Sequence, residues 1–145
     1  MNATRSPRPL PGIARATLGL EVFLSLGALA GGLALILGPR GEIIPLQLSS
    51  LAGSPFDSFL VPGLVLFGVL GLGPLVAVAM TLRRHPLAPF AAVVTGAALL
   101  GWLAVELAIV GYSSEPPLQP FYIAVGVVLV VLGLDWQVRS ARVEP

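Results

Sequence analysis

Four stretches of the chain are nearly unbroken in apolar residues, and most of the polar residues collect between them. The apolar runs lie at about 16–37, 59–82, 87–110 and 118–138. Crossing a hydrocarbon core of about 30 Å takes about 20 apolar residues at about 1.5 Å of helix rise each. Each run meets that length. The pattern therefore predicts an all-α fold, a membrane four-helix bundle occupying residues 15–139. Residues 1–14, which include "SPRPLPG", are rich in Pro and Arg and lack an apolar period, so a disordered cytoplasmic tail is expected there. Residues 140–145 form a second short tail.

The first run follows several Arg residues and contains "ALA" at Ala28–Ala30, as the end of a signal peptide would. Its apolar stretch continues well past that point, however, and Glu21 interrupts what would be the hydrophobic region. A retained span is the expectation.

Charge then orients the bundle. Arg5, Arg8 and Arg15 precede the first run, Arg83 and Arg84 separate the second from the third, and Arg139 and Arg142 follow the fourth. Only Arg40 falls on the other side. The positive-inside rule places both termini and the 83–84 loop in the cytoplasm of an inner membrane, with Arg40 and Glu115 outside.

Composition narrows the chemistry. The 145 residues are 56% apolar and 10% charged, and the mean hydropathy is +0.94. Soluble domains are about a quarter charged, so lipid must face most of this surface. A net charge of +1 with scattered Arg residues gives no nucleic-acid footprint. With no Cys, thiolate catalysis, disulfide exchange and thiolate-bound metals are excluded; a single His excludes bis-His haem, and the absence of Lys excludes imine chemistry. No cofactor or metal site is expected. Using Arg and never Lys resembles the codon bias of a high-GC bacterium.

Several motifs have local structural meanings. "SPFD" reads as a helix start, with Ser54 as N-cap, Pro55 at the first helical position and Asp57 closing a capping box. Pro62 and Gly63, then Gly71, Gly73 and Pro74, are expected to break or bend the second helix near Pro62 and again near Pro74. Gly27 and Gly31 form a GxxxG, and Gly32 extends a small face with Ala28; Ala97, Gly101 and Ala104 offer another on the third span. These faces are expected to pack helices together. In the loop after the first span, Ile44, Leu46 and Leu48 alternate with Pro45, Gln47 and Ser49, which predicts an extended piece with one wet face.

Among the acids, Asp135 stands four residues before Arg139, the favourable order for a helical ion pair. Glu21 has Ser25 one turn on and Arg15, Arg83 or Arg84 at the interface as expected partners. Trp136, Tyr112, Phe121 and Tyr122 read as interfacial anchors. Glu106, inside "GWLAVELAIVGY", is the hardest to place. An acid at mid-membrane costs about 2.5–3.5 kcal/mol, somewhat less near the edge, so its side chain should face the bundle interior. Trp102, Tyr122, Ser58 and Gln119 are its candidate partners. Two roles remain open: a polar clasp between helices, or a proton or cation site.

The series "LAGSPFDSFLVPGLVLFGVLGLGPLVA", "GWLAVELAIVGY" and "LQPFYIAVG" resembles a family of small bacterial four-span integral membrane proteins with no assigned activity. The resemblance spans roughly Leu51 to Gly133 and implies the fold and a membrane location; it carries over no catalytic residue. The expected function is that of a non-enzymatic structural or interaction protein. Its partners would be the lipid bilayer and a homo-oligomer or larger membrane complex. The alternative is a small proton- or cation-coupled transporter or channel built on Glu106 and the Pro-broken second helix.

Overall fold

A computed structural model describes residues 8–112 and 117–142, and these residues are helical with no strand among them. Four long helices form: α1 (Gly12–Leu37), α2 (Leu60–Leu82), α3 (Ala88–Val110) and α4 (Leu118–Ala141). Each is long and apolar enough to cross a membrane. Helix α1 starts ahead of the predicted Ala16, so residues 12–14, expected in the tail, are helical. Helix α4 runs on to Ala141, where Arg139 in the last turn suits the negative end of the helix dipole and pairs with Asp135 at 2.8 Å. The remaining parts of the predicted tails (1–7 and 143–145) and the placement of Glu115 lie outside the described residues.

The helices fold as an up-and-down bundle. Leu10 and Pro11 ahead of α1, Arg84 and His85 between α2 and α3, and Ser140 and Ala141 at the end of α4 line one cleft. The Arg84 guanidinium also donates to the backbone carbonyl of Arg8. Both described chain ends therefore sit at one end of the bundle, the arginine end, and the loop after α1 covers the other. The centre is filled by Leu24 and Ala28 from α1, Leu70 from α2, Leu99 and Leu103 from α3, and Val125 and Leu129 from α4. Leu26, Val76, Val94 and Val131 are exposed on the outward faces, an apolar surface suited to lipid.

Glycine cements the helices in two antiparallel pairs. A Cβ on Gly32 of α1 would stand 2.6 Å from the Phe67 backbone nitrogen of α2. One on Gly96 of α3 would stand 2.7 Å from the Gly126 carbonyl of α4. Neither backbone can retreat as a flexible side chain would, so both positions require glycine. The other small-residue expectations divide. Gly27 and Gly31 make ordinary contacts, with Tyr122 and Leu66. Gly101 is a correction: it is exposed, with nothing within 4 Å of an added Cβ. Residues 97, 101 and 104 all point out of the bundle, because α3 turns the face bearing Gly96, Leu99 and Leu103 inward.

The start of α2 also differs from expectation. Residues 54–59 are non-helical and α2 begins at Leu60 with Phe59 as N-cap, so Ser54 and Asp57 do not cap it. The Ser54 hydroxyl accepts instead from the Phe56 amide at 3.2 Å, a local turn that outcompetes the capping box. Phe59 and Leu51 bury their side chains against Leu35, with Ile44 and Phe56 beside them, and the Phe59 amide donates to the Pro39 carbonyl at 2.8 Å. That packing seats the loop on the bundle end and delays the helix. Residues 48–51 form a 3-10 turn rather than the second half of an extended piece.

Pro62 does not bend α2: residues 60–65 are continuous α-helix. It falls in the first turn, where backbone N–H groups lack an intrahelical acceptor anyway. The departure from α geometry lies further on, where Leu66–Leu72 is a π-helical segment ending against Pro74.

Gly96→Leu is expected to lower stability by about 1–3 kcal/mol through overpacking, while Gly101→Leu leaves it within about 0.5 kcal/mol. Thermal unfolding of the two variants in detergent compares them directly.

Candidate functional site

Among the described residues, two groups of polar side chains in the apolar helices include a carboxylate, one in each half of the bundle. The first is built from the ends of α3 and α4 away from the arginines. Helix α3 stops at Gly111, whose φ of +82° suits glycine, and its last carbonyls lose their helical donors there. Gln119, in the first turn of α4, is buried and answers both needs. Its side-chain amide donates to the Gly111 carbonyl at 3.1 Å and to Glu106 Oε1 at 3.2 Å.

Gln119 is thus the donor that Glu106 finds among the expected partners. Trp102 and Tyr122 stand beside the pair and line the same cleft, of about 190 Å³, without a hydrogen bond to the carboxylate. Leu24, Leu70 and Leu99 supply its apolar walls. Ser58 is not part of it: its hydroxyl accepts from the Leu60 amide at 3.4 Å, at the foot of α2. Tyr122 also belongs to an aromatic group with Phe23 and Phe121, ring centroids 5.3–6.4 Å apart, which ties α1 to α4 beside the cleft. Phe23 had no sequence signal for this, since a Phe on an apolar helix looks the same whether it meets lipid or another ring.

The second place follows from the π-helical segment. Pro74 brings no N–H, so a carbonyl in the preceding turn loses its helix donor. Over Leu66–Leu72 the ladder lengthens, with the Gly73 amide reaching back to Gly68. The Gly71 carbonyl accepts the Ser25 hydroxyl of α1 at 2.6 Å, in a fully buried contact. The Gly71 carbonyl, three residues ahead of Pro74, thus receives a donor from a neighbouring helix.

Glu21 lies one turn from Ser25 and corrects the sequence reading. It is 0% exposed rather than interfacial, and both its carboxylate oxygens lack a hydrogen-bond partner among the described residues. Ser25 is occupied with Gly71, and Arg15, Arg83 and Arg84 are exposed at the bundle end. The Thr81 hydroxyl on α2, 1% exposed, has no partner either. The stripe Thr17, Glu21, Ser25, Ala28 and Gly32 does face protein, as its spacing implies.

Replacing Glu106 separates its hydrogen bond from its charge. Glu106→Gln keeps an oxygen for Gln119 and is expected to unfold at the wild-type temperature. Glu106→Leu removes the carboxylate that Gln119 reaches across from α4, and about 1–3 kcal/mol should be lost in the same thermal assay.

No protein-family model, curated protein or solved structure matches the chain, so its role is read from the bundle itself.

Proposed function

We propose that this chain is a non-enzymatic protein of a bacterial inner membrane, of the small four-span type its sequence resembles, with both termini cytoplasmic. It works through helix–helix interaction, with further copies of itself or with a larger membrane complex. The observation that carries this reading is the use made of polar groups inside the spans. Glu106 is bonded to Gln119 across α3 and α4, and Ser25 to the Gly71 carbonyl across α1 and α2. These groups hold helices together rather than converge on a reacting centre. The exposed small residues Ala97, Gly101 and Ala104 leave a shallow face of α3 on which another helix can lie close.

A second reading, a small proton- or cation-coupled transporter, draws support from one placement. Leu66 and Leu70 of the π-helical segment line the same cleft as Glu106, so an irregular helix and a carboxylate share a cavity. Glu106→Gln separates the two readings in liposomes. The clasp keeps any activity, whereas a transport site loses a pH-dependent flux with the fold intact.

The interaction reading predicts an oligomer in mild detergent that Gly101→Leu dissociates without unfolding. Size-exclusion chromatography with light scattering measures this, and a monomeric wild type would count against it. Orientation is tested on the Cys-free background, where Arg84→Cys should resist an impermeant thiol reagent applied to intact cells. Labelling from outside would reverse the topology.

A further inference from the structure

The unpartnered carboxyl of Glu21 is the least expected feature of the bundle. Its neighbours on α1, one turn away on each side, are Thr17 and Ser25, both 0% exposed. A hydroxyl has one proton to give. Thr17 directs its proton at the Ala14 and Ile13 carbonyls, at 3.0 and 3.2 Å, and Ser25 directs its own at Gly71, at 2.6 Å. Both hydroxyls therefore offer Glu21 only lone pairs.

The packed helices supply no counter-charge. Helix α2 has no titratable side chain from Leu60 to Leu82, and Arg83 and Arg84 beyond it are exposed. On α3 the only such group is Glu106, in the opposite half. On α4 they are Tyr122, at the far cleft, and Asp135, which is half-exposed and bound to Arg139 at 2.8 Å. Arg15, on α1 itself, is exposed. An ionised carboxylate stripped of water, donors and cations is among the costliest states a protein interior can hold.

Polar side chains lie at intervals between this carboxyl and the arginine end of the bundle. Taking the Ser25–Gly71 contact as the common level and 1.5 Å of rise per residue, Glu21 lies about 6 Å, Thr17 about 12 Å and Thr81 about 15 Å towards the arginine end. Thr81, with its unpartnered hydroxyl, lines the cleft there, of about 480 Å³, beside Arg84, His85 and Gln137. In the other direction Leu24, Leu70, Leu99 and Leu129 close the centre of the bundle between Glu21 and the Glu106 cleft.

We propose that Glu21 is a binding site for a single positive charge, a proton or a small monovalent cation, reached from the arginine end past Thr81 and Thr17. Arriving there, the charge meets the carboxyl and the hydroxyl lone pairs beside it and can go no further through the apolar centre. The site is independent of the role given to Glu106, and its failure would leave the Glu106–Gln119 clasp untouched.

The test uses the full chain in lipid nanodiscs, comparing wild type with Glu21→Gln across acidic to alkaline buffers. A positive charge bound by the folded state stabilises it by mass action, so the wild-type melting temperature should fall as pH rises. Glu21→Gln should lose that component. If sodium restores the wild-type value at alkaline pH, the site takes a metal cation; if neither sodium nor potassium does, it takes a proton. Parallel wild-type and Glu21→Gln curves would overturn the proposal. Should Glu21→Gln fail to fold, a lipid-soluble carbodiimide, which reacts with carboxyls in the acid form, reads the wild type directly by mass spectrometry. Adduct at Glu21 that diminishes as pH rises supports the site, and adduct formation that is absent or independent of pH overturns it. The route is tested with Thr81→Cys, which a small water-soluble thiol reagent should modify; an unreactive thiol there would refute entry from the arginine end.

Discussion

A carbonyl freed inside an apolar bundle has no water to turn to, and Pro74 withholds a helix donor within α2. The helix ladder is irregular ahead of that proline, and the inner contacts gather around the irregular stretch. The ladder loosens into a π-helical segment over Leu66–Leu72, and Ser25 reaches across to the Gly71 carbonyl. For Ser25 to reach, α1 and α2 must run close together, and Gly32 permits this by leaving no Cβ against Phe67. The same contact commits Ser25, leaving Glu21 one turn away without its nearest donor. One irregular stretch of α2 thus sits beside a close helix spacing and an isolated carboxyl.

The two acids show how differently a bundle can treat like residues. Glu106 lies near a helix end, where Gln119 is available because the first turn of α4 must also serve the unsatisfied carbonyl of Gly111. Glu21 lies beside a stretch of α2 that offers it no hydrogen bond, and Ser25, its nearest hydroxyl on α1, is engaged with Gly71. Supply of donors, rather than depth alone, separates them.

The four spans were legible because lipid demands long apolar runs, and that demand acts on each residue independently of its neighbours in space. The Asp135–Arg139 pair was legible for a similar reason, since i,i+4 spacing contains its whole geometry. Glu106 facing protein followed from the cost of exposing it, and Gln119 was named among several partners because few polar residues share its level. What escaped depended on helix rotation and tertiary contact. The face carrying Gly101 is as small as the one carrying Gly96, and only the packing of α4 decides which turns inward. "SPFD" satisfies every local rule for a cap, yet Phe59 is drawn under the loop by Leu35 and Leu51 before a helix can start. The isolation of Glu21 required knowing that Ser25 was already engaged, which no spacing on α1 reveals.

The glycine contacts carry a mechanical consequence. The tightest backbone approaches lie within the α1–α2 and α3–α4 pairs, at Gly32 and Gly96 among others. Between the pairs, the centre is filled by interlocking leucines such as Leu24, Leu70 and Leu129. Side chains of that kind can exchange rotamers and slide, whereas backbones pressed together at a glycine have no such freedom. The molecule therefore consists of two hairpins, each closed by backbone-to-backbone contact and joined to the other through side chains alone at the centre. Insertion into a bilayer hairpin by hairpin would use the same division, each pair forming its own close contacts before the two join.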